Sequence, residues 1–224
     1  MKFDKTEYNK LVADILEGKI NATVKVASFG GPSAYFHQRA IDECRTRFLS
    51  NEHIEMVYAT LVAWGMHRTG KGGAKMPVYS DFHNSIMVVS QILQKYQNTR
   101  IESVTASNIE QVISDLSEIC FGPNAVNGST TNSKLVSASK ILAHILPDLV
   151  PPMDRQYTIR FFNKRKHNYT LSIEDEQQFF EDTMRCMWKF YQDQQILKAV
   201  QPFVQSGAVC SLPKLFDDLI IATF

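Results

Sequence analysis

Apolar residues recur at helical spacing along nearly the whole chain, which restricts the fold to packed α-helices. Tyr8, Leu11, Val12, Ile15 and Leu16 fall at i, i+3, i+4, i+7 and i+8, and Gly18 follows as a stop. Gly30-Gly31-Pro32-Ser33 breaks the chain and opens a second helix with Phe36, Ala40, Ile41, Cys44 and Phe48 on one face. Ser50 is placed to cap a third, whose inner stripe is Ile54, Val57, Tyr58, Leu61, Val62 and Met66. Between the first two, Asn21–Phe29 alternates weakly and is the one early strand candidate.

The period continues towards the C-terminus. Ser80 opens a helix bearing Phe82, Ile86, Val89, Leu93 and Tyr96, and Ser107-Asn108-Ile109-Glu110 reads as a capping box for the next. After the polar stretch Gly122–Asn132 comes a helix through Leu135, Ala138, Ile141, Leu142 and Ile145. Pro147, Pro151 and Pro152 end it and force an extended path into Met153-Asp154. A short helix is expected around Ile159 and Phe162. A long one begins at Ser172 and runs on towards Val204, and a last one spans Ser211 to Phe224.

The expectation is an all-α globule of about nine helices joined by short connections. It forms a single all-helical domain over residues 1–224. The Gly122–Asn132 stretch separates two candidate lobes, 30–121 and 132–224, with a cleft between them and the N-terminal helix packed on one. Gly and Pro together make 18 of 224 residues, below the usual ~12%, which argues against a turn-dense β or collagenous chain.

The start of the chain is charged, with no apolar core segment, so a secretory signal is not expected there, and no run of ~20 apolar residues suggests a membrane span. Cys44, Cys120, Cys186 and Cys210 are scattered without a C-x-x-C pair, the pattern of reduced thiols. The expected compartment is the cytoplasm.

Several motifs can be set aside. Gly65–Gly72 matches a phosphate-binding G-x-x-x-x-G-K loop but carries Gly72 where a Ser or Thr would hold magnesium, and it follows helical rather than strand spacing. What remains is a loop with Arg68, Lys71 and Lys75, either solvated or facing an anionic partner. The six histidines form no H-E-x-x-H and no i, i+4 pair, which is the pattern of core or capping residues. No metal ligand set and no cofactor motif is visible.

Charge is segregated. Overall the chain carries +1, yet Lys134–Thr170 holds seven basic residues against Asp148 and Asp154, a net of +5, and five acidic residues follow over Glu174–Asp182. Such a segment either neutralises phosphates or pairs with the acidic helix start after it. In the first case Lys134, Ser137, Ser139, Arg155, Arg160, Lys164, Arg165 and Lys166 are the candidate nucleic-acid contacts.

Ser137–Pro147 followed by Pro151-Pro152-Met153-Asp154-Arg155 resembles part of the helix-hairpin-helix DNA glycosylase superfamily, and Val57–Met66 is similar to that family's early apolar helix. The resemblance implies a two-lobed helical fold and a DNA partner. It places Lys140 at the hairpin lysine, the Schiff-base nucleophile of bifunctional members, and Asp154 at the catalytic carboxylate. Val136 and Ala138 stand where that family has its hairpin glycines. Base removal develops positive charge on the sugar, which a carboxylate stabilises, and it requires the base to be flipped out. Trp64, Arg68 and Tyr157 are expected to line the cleft, with Phe161 as a further aromatic. The alternative from another class is a non-catalytic helical protein that binds a protein partner.

Overall fold

The computed structural model describes residues 3–19, 31–70, 73–129, 133–163, 171–207 and 209–224. Among these, eleven α-helices account for nearly all regular structure. They are α1 (Thr6–Leu16), α2 (Gly31–Thr46), α3 (Asn51–Ala63), α4 (Tyr79–Val88), α5 (Ser90–Tyr96), α6 (Ile109–Phe121), α7 (Leu135–Ile145), α8 (Arg160–Asn163), α9 (Ile173–Gln192), α10 (Gln194–Gln205) and α11 (Leu212–Ile221). A two-residue antiparallel pair, β1 (Thr69–Gly70) with β2 (Gly73–Ala74), lies within the expected Arg68–Pro77 loop. The strand candidate Asn21–Phe29 lies outside the described residues. No described helix is long and apolar enough to cross a membrane.

Several helix ends follow the sequence. Gly18 adopts φ +74 just past α1, as a helix-terminating glycine does. The hydroxyls of Ser50, Ser172 and Ser211 accept the amides of His53, Asp175 and Lys214 and so cap α3, α9 and α11.

Three expectations are corrected. The helix expected from Ser80 to Tyr96 is two, because the chain turns at Val89, where two β-branched residues and Ser90 are weak helix formers. The helix expected to run from Ser172 to Val204 breaks at Asp193, whose Oδ1 accepts the Gln195 and Ile196 amides and starts α10 afresh. The capping box before α6 does not form. Asn108 is the N-cap without a side-chain bond, Ser107 bonds Thr105 Oγ1 and Asn108, and the Glu110 carboxylate reaches Arg185.

α2 and α3 pack as a hairpin, and α7 lies across both. On α7, Leu135, Ala138, Ile141, Leu142 and Ile145 are fully buried, each large side chain contributing about 1.5–3 kcal/mol of transfer free energy. The buried core is continuous from Leu11 on α1 to Ile220 on α11. Aromatic rings dominate its C-terminal part, with Phe190 meeting Tyr191 and Phe216 edge-on. This packing brings the C-terminal end of α3, the middle of α7 and the Lys214–Asp217 side of α11 to one place.

Candidate functional site

Where α3 ends, α7 passes and α11 closes over them, a cavity of about 330 Å³ opens, at the lower end of the volume range of small-molecule sites. Its wall contains Lys140 from α7, Asp154 and Tyr157 from the turn after it, Trp64 and Arg68 from the end of α3, and Lys214 and Asp217 from α11.

The approach of Lys140 and Asp154 has a local cause. Pro151 and Pro152 keep the chain extended after α7, and buried Met153 then donates its amide to Ser139 Oγ at 3.1 Å. Ser139 precedes Lys140 and Met153 precedes Asp154, so this bond brings the two candidate residues to one cavity wall. Asp154 itself begins a π turn over Arg155–Ile159, and its Oδ1 accepts the Tyr157 amide at 2.7 Å. Among the described residues no hydrogen bond occupies its other oxygen.

Lys140 is partly buried, with its ammonium 5.3 Å from the centroid of the Trp64 ring, a cation–π distance. Loss of solvent around the ammonium pulls its pKa below the usual lysine value; Asp154 and Asp217 oppose the fall, and Lys214 adds to it. An amine so placed reaches its neutral, nucleophilic form more readily than one in water.

α11 supplies chemistry that no sequence motif marked. Lys214 Nζ bonds Asp217 Oδ2 at 3.0 Å and also Asp218 Oδ1, all three buried. Burial pushes the Asp217 carboxyl up to about 6. A buried ion cluster is costly to desolvate and is weak evidence of stabilisation. The i, i+3, i+4 spacing on an amphipathic helix was the available signal, but nothing local aims it at Lys140.

Lys140, Asp154, Trp64, Arg68 and Tyr157 share the cavity wall. Arg160 is exposed and packs over the Phe224 ring at 4.6 Å, and Phe224 lies 5.8 Å from Tyr157. Arg155 is tied to Ser133 Oγ at 2.8 Å and to Glu176. The Glu176 carboxylate accepts the amides of Lys134 and Leu135, so part of the basic segment pairs with the acidic helix, the second of the two electrostatic readings. Ser137 and Ser139 are buried, their hydroxyls bonded to the Lys134 carbonyl and the Met153 amide; they brace α7 and do not face solvent. Phe161 is a core residue against Phe162 rather than part of the cavity wall. Lys164, Arg165 and Lys166 lie outside the described residues, as does Lys71.

Gly65 has a definite task at the cavity edge. Its φ is +78, and a Cβ there would sit 3.2 Å from Arg68 Nε, so the glycine provides both the turn out of α3 and room for the guanidinium folded over it.

Comparison with family models, curated proteins and solved structures finds no match to this chain. Among the described residues no group of three or more His, Cys, Asp or Glu side chains could hold a metal.

Proposed function

We propose that the chain is a DNA-binding protein of helix-hairpin-helix glycosylase-like fold that flips a damaged or modified base into the Lys140–Asp154 cavity and releases it. One observation carries the reading: an amine and a carboxylate on neighbouring elements line one hollow, with Trp64 and Tyr157 in the same wall. Two arginines at this end of the molecule, Arg68 and Arg160, are exposed and suit phosphates on either side of a flipped nucleotide.

In this reading the aromatic walls hold the extruded base. As the bond between the sugar carbon and the base nitrogen breaks, its electron pair leaves with the base, and Asp154 stabilises the positive charge growing on the sugar. The Lys140 amine, less basic than usual through desolvation, adds to that carbon and gives up a proton to the departing base; the bond to the ring oxygen then breaks, its electron pair and a second proton from the nitrogen going to that oxygen, which leaves an imine between Lys140 and the opened sugar.

The test is a panel of duplexes carrying deaminated, oxidised or alkylated bases, incubated with the protein and borohydride. A reducible covalent adduct that needs Lys140 and is lost in Lys140→Gln supports the reading. Absence of both adduct and base release across the panel, together with salt-insensitive binding to a protein, would favour the non-catalytic alternative.

A further inference from the structure

Behind Trp64, three titratable side chains from α2, α7 and the approach to α11 form one hydrogen-bonded chain beside a second cavity. Cys210 Sγ lies 3.4 Å from His37 Nε2. His37 Nδ1 lies 2.9 Å from His144 Nε2, and His144 Nδ1 lies 2.6 Å from the Lys140 carbonyl oxygen.

The partners fix every proton. A carbonyl only accepts, so His144 carries its proton on Nδ1 and presents a bare Nε2. His37 must then donate from Nδ1, which leaves its own Nε2 bare towards the thiol. The Cys210 S–H donates to that nitrogen; its other neighbour, Ser211 Oγ, is farther away at 3.9 Å. Burial keeps both rings neutral, lowering His37 to about 4 and His144 to about 3. Nucleophile, base and orienting group thus stand in the order that covalent catalysis requires.

This chain meets an opening. A cavity of about 140 Å³ is lined by Cys210 and His37, with Ser33, Ala34, Trp64 and Lys214 among its other walls. Cys210 is the one cysteine that is not fully buried, since Cys44, Cys120 and Cys186 are. Ser33 and Ala34 belong to the first turn of the 16-residue helix α2, where Pro32 carries no N–H and the Ser33 amide precedes the first i→i−4 bond, so Ser33 is the wall residue whose amide suits a developing negative oxygen.

We propose that Cys210 is a nucleophilic thiol that accepts a short acyl group from a small activated ester or thioester bound in this cavity, with His37 as base and His144 as the residue that orients it. Sγ forms a bond to the carbonyl carbon while the thiol proton passes to His37 Nε2. The carbonyl oxygen takes the displaced electron pair, with the Ser33 amide as its donor. When the tetrahedral species collapses, the bond to the leaving oxygen or sulfur breaks, and that atom departs with its electron pair and the proton from His37. An acyl thioester on Cys210 and a free alcohol or thiol remain. Burial raises the thiol pKa, so the resting pair is neutral, as a hydroxyl–imidazole pair is, and an activated acyl donor is required.

The probe is p-nitrophenyl acetate added to the full chain, followed by nitrophenolate release and peptide mass mapping. The expected result is a burst of about one nitrophenolate per chain, with the acetyl group on Cys210 in preference to the other three cysteines. Cys210→Ser removes the burst, and His37→Gln slows it by roughly 100-fold. His144→Gln slows it less, and circular dichroism checks that each variant is folded. Acetylation spread over surface lysines with Cys210 unmarked overturns the proposal in the unmutated protein, whatever the variants do. An undiminished rate in folded His37→Gln overturns it as well.

Discussion

The hydroxyl of Ser139 and the amide of Met153 meet at 3.1 Å inside the protein, and the residues that follow each of them, Lys140 and Asp154, consequently line one cavity. The same hydroxyl lies 3.4 Å from the carbonyls of Val136 and Met153, so Ser139 ties helix α7 to the extended segment after it.

Ser139→Ala leaves the Met153 amide buried without its acceptor, which costs about 1–3 kcal/mol. For a chain of this size that is a fall of roughly 2–4 °C in Tm per kcal/mol. Calorimetry checks the stability. A parallel assay of base release should show a larger loss than destabilisation alone produces, because the spacing of Lys140 and Asp154 is relaxed.

Asp154→Asn keeps an oxygen able to accept the Tyr157 amide, so the π turn after it should persist. The carboxylate charge, however, is gone. Under the proposed function, base release falls by at least about 100-fold with DNA affinity nearly unchanged. Equal turnover in both proteins would remove Asp154 from the mechanism.

Exposed Arg68 and Arg160 should contribute to DNA affinity without regard to sequence. Replacing either by alanine is expected to reduce the slope of log affinity against log salt by about 0.9 for each phosphate that the arginine neutralises. Fluorescence anisotropy between roughly 50 and 200 mM salt measures it, and an unchanged slope would exclude that arginine from the interface.

The histidine chain predicts an acid-sensitive fold. His37 and His144 have folded pKa values of about 4 and about 3, against about 6.5 when unfolded. Between those values the unfolded chain binds more protons, so stability is intact above pH ~6.5 and is lost as pH falls towards 4, by up to about 1.4 kcal/mol per pH unit for each ring. Asp217, raised to about 6, acts in the opposite sense between about 4 and 6 and shallows the net slope. Urea midpoints measured from pH 7 to 4.5 should fall in the parent protein and fall less in His37→Gln.

Sequence periodicity located the helical segments though not every break within them, because an amphipathic stripe and its capping residue are properties of a few consecutive positions. Ser50, Ser172 and Ser211 all cap the helices that follow them, and Pro151-Pro152 marked the extended path to Asp154. The break at Asp193 was hidden because continuous apolar spacing does not record a side chain that competes for backbone amides, and the one at Val89 because weak helix formers can sit in an unbroken apolar stripe.

Lys140, Asp154, Trp64, Arg68 and Tyr157 were nameable in advance because they lie in or beside two recognisable segments. Lys214 and Asp217 reach the same wall only because α11 packs back over the π turn. The meeting of His37 with His144 spans 107 positions. Local order fixes which face of a helix is apolar, whereas the partner of a buried polar group is chosen by whichever distant element packs against it, and only the tertiary structure decides that.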